Sequence, residues 1–291
     1  MTIDTQPRVA VVTGASSGIG KAAAQALAIA GWSVIGLGRD SARCEIAERE
    51  LRAVSAPGAR IGFIRCDLSR MDDTVGAAQA VTSQTRRIDA LLNNAGGIAK
   101  GLTMTAEGLE WTFACNHLGP FLFTNRLLPL LRSTAVASGG VRILTVSSQV
   151  HERSPGIDWQ DIQACANFDP IGAYANAKLA NLLFNRALAK RLASDNIVAH
   201  AMHPGMVESN FFSHASIQLQ QTMVALKHLT VSPEQAADTL VWLATAREAG
   251  TANGGYFHRR ASVATSAAAQ DAAAAERLWL ESEALIARAL S

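Results

Sequence analysis

Tyr174 and Lys178 stand four residues apart in a stretch of helix-forming residues, which places both side chains on one face of a predicted helix. A phenol, with a pKa of about 10, is by itself a poor proton carrier at neutral pH. A nearby ammonium favours the phenolate and lowers that pKa towards the operating range. The spacing therefore predicts a general acid/base, although Tyr-x-x-x-Lys also occurs by chance as surface decoration.

A second candidate lies near the start of the chain, where 13–20 read T-G-A-S-S-G-I-G directly after an apolar run. Glycines let the backbone turn tightly and approach a pyrophosphate, and the N–H groups at a helix start stabilise its charge. The position between a predicted strand and a predicted helix favours a phosphate-binding turn over a glycine-rich turn without function.

Short apolar runs alternate with helical stretches along the chain. We predict strands at 9–12, 34–37, 61–64, 90–92, 141–146, 197–201 and 255–257, and helices that include 18–30, 174–192 and 233–245. Strands of this kind separated by helices indicate βαβ units and a parallel sheet covered on both faces. The sequence thus predicts an α/β chain, a single-domain doubly wound Rossmann fold with a seven-stranded parallel sheet.

Several motifs occur in a fixed order. They are T-G-x-x-x-G-I-G, Asn93-Asn94-Ala95-Gly96, Asn116, Ser147-Ser148, Tyr174-x-x-x-Lys178 and His203-Pro204-Gly205. Together they resemble the short-chain dehydrogenase/reductase family over roughly 7–257. The segments 116–121, 173–181 and 277–279, with a long 149–173 segment, are most similar to its retinol-dehydrogenase-like branch.

The resemblance implies one domain over 1–291, with a Rossmann core at 8–257 and a substrate-covering segment at 206–230. At the C-terminus, 264–290 is Ala-rich, but Leu278, Trp279, Leu285 and Ile286 recur at helical spacing. This recurrence predicts a packed amphipathic helix.

The resemblance also implies the catalytic residues. Tyr174 is expected to be the general acid/base and Ser148 to hydrogen-bond the substrate oxygen. Lys178 is expected to hold the nicotinamide ribose in addition to lowering the pKa of Tyr174. Asn116 is expected to hold a water that links Lys178 to solvent; the alternative is a helix-kink residue with a satisfied amide.

The implied cofactor is NADP. The residues expected to bind it are Gly14, Ser16, Ser17, Gly18, Ile19, Gly20, Arg39, Asp67, Leu68, Asn94, Ala95, Gly96, Tyr174, Lys178, Pro204, Gly205 and Val207.

The choice of NADP over NAD rests on the end of the second strand, Gly38-Arg39-Asp40. An acidic residue there would accept a hydrogen bond from the ribose 2′-hydroxyl of NAD and repel a 2′-phosphate. Gly38 stands where the family's acid usually lies. Arg39 can pair with a phosphate and stack on adenine, whereas Asp40 is counter-evidence placed one residue late.

Composition excludes several other classes of protein. The net charge is +2 and no basic tract occurs, so we expect no nucleic-acid partner. Four scattered cysteines and seven histidines show no metal-ligand spacing, so no metal is expected. Without a leader-like N-terminus or a long apolar run, we expect a cytoplasmic protein without a membrane partner, which could form a homodimer.

Apolar residues after Gly205 favour a bulky lipophilic ketone, aldehyde or alcohol as the small-molecule substrate. They are Phe211, Phe212, Ile217, Leu219 and Met223. Two other functions stay open, a non-catalytic NADP-binding regulator and an enzyme of the same fold that reduces a C=C bond.

Overall fold

A computed structural model describes residues 7–207 and 230–291. In this part of the chain eight strands form one sheet in the order β3-β2-β1-β4-β5-β6-β7-β8. The strands are β1 (Val9–Thr13), β2 (Ser33–Gly38), β3 (Ile61–Arg65), β4 (Ala90–Asn93), β5 (Val141–Val146), β6 (Ile197–Met202), β7 (Tyr256–His258) and β8 (Ala261–Ser262).

The α/β class and the parallel core of the sheet are confirmed, but the predicted count of seven strands is wrong by one. β1 to β7 pair in parallel, whereas β8 pairs antiparallel with β7. This last strand is only two exposed residues long and follows a two-residue turn, Arg259–Arg260. An exposed dipeptide has no apolar run, so the pattern used to find the other strands could not detect it.

Helices cover both faces of the sheet. They are α1 (Gly18–Ile29), α2 (Ser41–Val54), α3 (Met71–Gln84), α4 (Trp111–Phe113), α5 (Gly119–Ser138), α6 (Pro170–Arg191), α7 (Pro233–Thr245) and α8 (Ala272–Ala289), with a π-helical turn at Ala114–Leu118 between α4 and α5. None of those in residues 7–207 and 230–291 combines the length and apolar composition needed to cross a bilayer.

Neighbouring residues of the central strands point to opposite faces. Val11 and Ile143 belong to the core that contains residues of α3, α5, α6 and α8. Val12 and Leu144 belong to the second core, formed with α1 and α7. The strands read as continuous apolar runs because both faces are buried.

The C-terminal helix α8 packs against α6. The four residues of its predicted apolar stripe, 278, 279, 285 and 286, are all buried.

The strand order reverses at β1, which lies between β2 and β4. In a doubly wound sheet, ligands bind in the crevice outside the carboxyl ends of the strands at this reversal. The loops after β1, β4, β5 and β6 therefore hold the candidate site.

Candidate active site

The turn between β1 and α1 has the backbone geometry of a phosphate cradle. Gly14 and Gly18 adopt left-handed φ angles of +69° and +54°, a conformation that glycine reaches without steric cost. Ser17 precedes α1 but makes no side-chain capping hydrogen bond, and the first turn carries no acidic residue. The first residues of α1 line the cleft and their N–H groups have no side-chain cap, as a pyrophosphate site requires.

Gly20 lets the turn pack closely against the loop after β4. A Cβ at Gly20 would overlap the carbonyl oxygen of Gly14 and the amide of Asn94. Asn94 Nδ2 donates to the carbonyl of Thr13 at 2.8 Å, and Thr13 Oγ1 accepts from the backbone N–H of Asn94 at 2.9 Å. Asn94 therefore links β1 to β4 beneath the cleft.

At the predicted adenosine end of the cleft, Gly38 packs closely against the side chains of Cys44 and Ser16. A Cβ there would lie 2.7 Å from Cys44 Sγ and 2.9 Å from Ser16 Oγ. The sequence has no acid of the NAD type at this position, and a side chain there would require the Cys44 and Ser16 side chains to shift. Asp40 caps α2 by accepting from the backbone N–H of Arg43 at 3.0 Å, while Arg39 lines the cleft.

The other end of the cleft is formed by α6, which carries Tyr174 and Lys178. Asp169 caps this helix by accepting from Gly172 N, which fixes where the helix begins. Lys178 Nζ lies 5.4 Å from the centre of the Tyr174 ring and donates to the carbonyl of Val146 at 3.1 Å. The predicted helix and its shared face are confirmed.

Ser148 follows β5 and caps the 3₁₀ turn Gln149–Arg153. Its hydroxyl accepts from the backbone N–H of Val150 at 3.2 Å, and a hydrogen bond joins it to Tyr174. The preceding Ser147 is turned away, donating to the carbonyl of Lys178 at 2.8 Å. Of the two serines, Ser148 is thus the one placed beside Tyr174.

Asn116 lies in the π-helical turn and is almost fully buried. Its amide nitrogen donates to the carbonyls of Gly97 at 2.8 Å and Thr112 at 2.7 Å, and its oxygen accepts from Gly97 N at 3.2 Å. Asn116 therefore ties the π-helical turn to the loop after β4, with its amide fully hydrogen-bonded. This is the geometry expected of a helix-kink residue. The part of Asn116 in proton transfer stays a prediction.

Burial dominates the electrostatics of the site. It raises the pKa of the Tyr174 phenol, and the hydrogen bond from Ser148 opposes this by lowering it. Burial also lowers the pKa of the Lys178 ammonium to about 8, with an opposing rise from Cys115. The pKa of Tyr174 therefore shifts upwards, whereas the proximity of Lys178 alone would lower it. The sequence pattern did not include the cost of burying a phenolate.

The depressed pKa of Lys178 predicts a stability that depends on pH. The unfolded chain keeps this proton up to about pH 10.4, whereas the folded protein loses it near pH 8. The unfolded state thus binds more protons in this window, and the free energy of unfolding should rise with pH across it by up to ~3 kcal/mol. Urea titrations of the dinucleotide-free protein should show a smaller rise for Lys178→Met; parallel curves would contradict the assignment.

A single cleft of about 890 Å³ joins these features, within the size range of small-molecule sites. Its lining includes Ser148, Tyr174, Lys178 and every residue predicted to bind the dinucleotide except Gly20, which supports the turn from behind. Asn116 also does not line the cleft.

The cleft also contains residues that the sequence analysis did not select. They are Trp111, Cys115, Gln149, Val150, Arg153 and Ile171, among others. Adjacency to Asn116 and Ser148 could have indicated Cys115, Gln149 and Val150. Trp111 precedes Asn116 and Ile171 precedes Tyr174 in the sequence, and no local pattern marks either residue.

The predicted substrate-covering segment falls largely outside the described residues. Only Met206, Val207 and Thr230 of 206–230 are described, and Val207 forms a bridge to Val231. The five apolar residues predicted to line the substrate cleft all lie outside the described part.

Comparison with known proteins now identifies the family. The family model described as short chain dehydrogenase matches residues 8–220, nearly three quarters of the chain. The chain belongs to the short-chain dehydrogenase/reductase family. It is therefore an oxidoreductase, and the resemblance noted in its sequence motifs is confirmed.

Relatives place this short-chain dehydrogenase/reductase close to the retinol-dehydrogenase-like branch. Retinol dehydrogenase 13 of Homo sapiens is 33% identical over 285 residues, which cover 96% of this chain and 84% of that protein. The solved structure of a protein from Mycobacterium Paratuberculosis is 30% identical with a TM-score of 0.75, covering 97% of this chain and 94% of that one. The NADP complex of Pseudomonas aeruginosa RhlG is 28% identical with a TM-score of 0.70, covering 87% and 94%.

Proposed function

We propose that this short-chain dehydrogenase/reductase interconverts a ketone or aldehyde and the corresponding alcohol with NADP(H), using Tyr174 as general acid/base. The observation that carries the proposal is the continuity of the cleft. A phosphate-binding turn and an arginine lie at one end, and Ser148, Tyr174 and Lys178 meet at the other.

Each of the three residues has a distinct task. The bound nicotinamide supplies the hydride for reduction and accepts it for oxidation. Tyr174, whose raised pKa keeps it protonated at neutral pH, gives its proton to the carbonyl oxygen and takes the hydroxyl proton in the reverse direction. Ser148 hydrogen-bonds the same oxygen and polarises it.

Lys178 places a positive charge beside this proton transfer. Its ammonium lies next to the Tyr174 ring and close to Gly96, where a Cβ would come within 3.3 Å of Nζ. From this position in the lining of the cleft, the ammonium would hold the nicotinamide ribose.

NADP is favoured over NAD by the adenosine end of the cleft. Gly38 carries no acid, Asp40 caps α2, and Arg39 lines the cleft, where its guanidinium would pair with a 2′-phosphate. RhlG, one of the similar solved structures, was determined with NADP.

We expect NADPH to bind at least ~10-fold more tightly than NADH, equivalent to ~1.4 kcal/mol. Arg39→Ala should remove most of this preference, because it deletes the guanidinium that pairs with the 2′-phosphate. Fluorescence titrations with both dinucleotides measure the two dissociation constants. Arg49→Ala, on the exposed side of α2, removes the same charge and should preserve the preference; equal affinities in the unmodified protein would refute the assignment.

The proposed substrate class is a bulky lipophilic carbonyl compound or alcohol. The apolar residues predicted after Gly205 support it, as does the similarity to a retinol dehydrogenase. A panel of ketones, aldehydes and lipophilic alcohols, read out by NADPH consumption or formation with product identification, tests the proposal. An alcohol product supports it, a saturated product indicates C=C reduction, and dinucleotide binding without turnover indicates a regulatory protein.

A further inference from the structure

His151 is a buried histidine that lies directly behind Ser148. Its ring has no exposed surface and sits in the 3₁₀ turn that Ser148 caps. Nδ1 lies 2.7 Å from the carbonyl oxygen of Ser148, and Nε2 lies 3.2 Å from the backbone nitrogen of Ser266. The ring therefore bridges the serine beside Tyr174 and the segment between β8 and α8.

The two contacts determine where the ring proton is. A carbonyl oxygen only accepts hydrogen bonds, so Nδ1 must carry the proton. A backbone N–H only donates, so Nε2 must be unprotonated and accept from Ser266. The neutral Nδ1–H form satisfies both partners, whereas a second proton on Nε2 would face the Ser266 N–H donor.

The bond to His151 restrains Ser148 on the side opposite the cleft. The Ser148 carbonyl accepts from the His151 ring and also from the His151 backbone N–H, at 3.1 Å. Its hydroxyl accepts from Val150 N at 3.2 Å. His151 thus restrains the backbone of Ser148, and Val150 restrains its side chain. Together these hydrogen bonds limit the directions in which the Ser148 hydroxyl can point.

Packing holds the His151 ring in place. The ring of Tyr256 on β7 meets it edge-on, with centres 5.5 Å apart and planes at 86°. His203, on the loop after β6, also packs against the Tyr256 ring, with centres 5.5 Å apart. The His151 ring therefore contacts β7 through Tyr256 and the segment after β8 through Ser266.

We propose that His151 is a positioning residue that fixes the orientation of the Ser148 hydroxyl, with Ser266 selecting the ring tautomer that does so. The inference rests on the proposed carbonyl–alcohol chemistry, in which Ser148 must meet the substrate oxygen. Misplacing a catalytic group by about 1 Å can cost ~10²-fold in rate, so a residue that only holds Ser148 still controls turnover.

Three substitutions separate the two hydrogen bonds. Asn places an amide N–H near the Nδ1 position, so His151→Asn keeps the donor to Ser148 and loses the acceptor for Ser266. Gln extends its amide towards the Nε2 position, so His151→Gln does the reverse, and His151→Leu loses both. We expect kcat to fall by ~10–10²-fold in the Leu and Gln variants but to stay within ~3-fold in the Asn variant, with the NADPH dissociation constant little changed in all three.

His200 on β6 supplies a matched control. Its ring is also fully buried and joins two backbone groups, the carbonyl of Ala249 at 2.9 Å and the N–H of Gly255 at 3.0 Å. Neither group belongs to the cleft lining. His200→Leu should lower the melting temperature as His151→Leu does and leave kcat unchanged; equal losses of kcat in both variants would reduce His151 to a structural residue and overturn the proposal.

A double-mutant cycle with Ser148→Ala tests whether His151 acts through Ser148. Once the hydroxyl is gone, His151→Leu should cause no further loss of kcat. A full additional loss in the Ser148→Ala background would contradict the proposal.

Nitrogen-15 NMR of the ring gives a readout without turnover. It should show a protonated Nδ1 and an unprotonated Nε2, and the opposite tautomer would overturn the proposal. A wild-type protein inactive on the whole substrate panel would count against the proposed function, whereas an active protein with a fully active His151→Leu variant would count against this inference only.

Discussion

Replacing Tyr174 with phenylalanine is expected to lower kcat by ~10²–10⁴-fold, the usual contribution of general acid–base catalysis. The substitution removes one hydroxyl and keeps the ring that packs beside Lys178. The fold and the NADPH dissociation constant should therefore survive, while proton transfer loses its donor. Steady-state kinetics on a verified ketone substrate, with fluorescence titration of NADPH, measures both.

Ser148→Ala and Lys178→Ala extend this test. Loss of Ser148 should cost ~10²-fold in kcat if its hydrogen bond polarises the substrate oxygen. Lys178→Ala should weaken both turnover and cofactor binding. The three losses should not add, because the groups act on one proton and one oxygen. If Tyr174→Phe kept more than about a tenth of wild-type turnover, the general acid would have to be sought elsewhere.

Gly20→Ala is expected to weaken NADPH binding by ~10–100-fold, because overpacking of a well-packed site typically costs 1–3 kcal/mol. The added methyl group would overlap the Gly14 carbonyl and the Asn94 amide. The phosphate-binding turn would then have to move away from its position, and Asn94 would lose its place between β1 and β4. Isothermal titration with NADPH measures the effect on affinity.

Gly76→Ala is the matched control for this substitution. Gly76 lies inside helix α3, and a Cβ there would meet no atom within 4 Å. Alanine in a helix interior is favoured over glycine by ~0.5–1 kcal/mol, so this variant should be more stable, with unchanged NADPH affinity. If Gly20→Ala also left the affinity unchanged, close packing at the turn would not be what shapes the phosphate site.

The apolar runs predicted seven strands because burial on both faces leaves a continuous signal in the sequence. β5 was predicted with its observed bounds, Val141–Val146, and α7 with its bounds, Pro233–Thr245. β8 was missed, since two exposed residues leave no such signal. Sequence patterns thus predicted the seven strands that contribute to the core and missed the exposed strand at the sheet edge.

The candidate site divides in the same way. The glycine turn and the Tyr174–Lys178 pair are local patterns, and their geometry could be predicted from spacing. Crowding around Gly38 by Ser16 and Cys44 arises only when three separate segments meet. The same holds for the bridge that His151 makes between Ser148 and Ser266, because 115 positions separate His151 from Ser266.

The pKa shifts in the site were the property least predictable from the sequence. Spacing indicated that Lys178 would lower the pKa of Tyr174, whereas burial in the folded site raises it. A sequence gives the identity of a charge partner but does not give the depth at which both groups are buried, and desolvation is the larger effect here.

Transfer of a deuteride to a lipophilic ketone, from NADPH that carries deuterium at both C4 positions of the nicotinamide, tests the proposed reaction most directly. With the wild-type protein, mass spectrometry and NMR should find a single deuterium on the carbinol carbon of the product alcohol. Tyr174→Phe should reduce the rate of this transfer and leave the position of the label unchanged. Deuterium on a saturated carbon remote from oxygen, or NADPH bound without any labelled alcohol across the panel, would contradict carbonyl–alcohol interconversion by this protein.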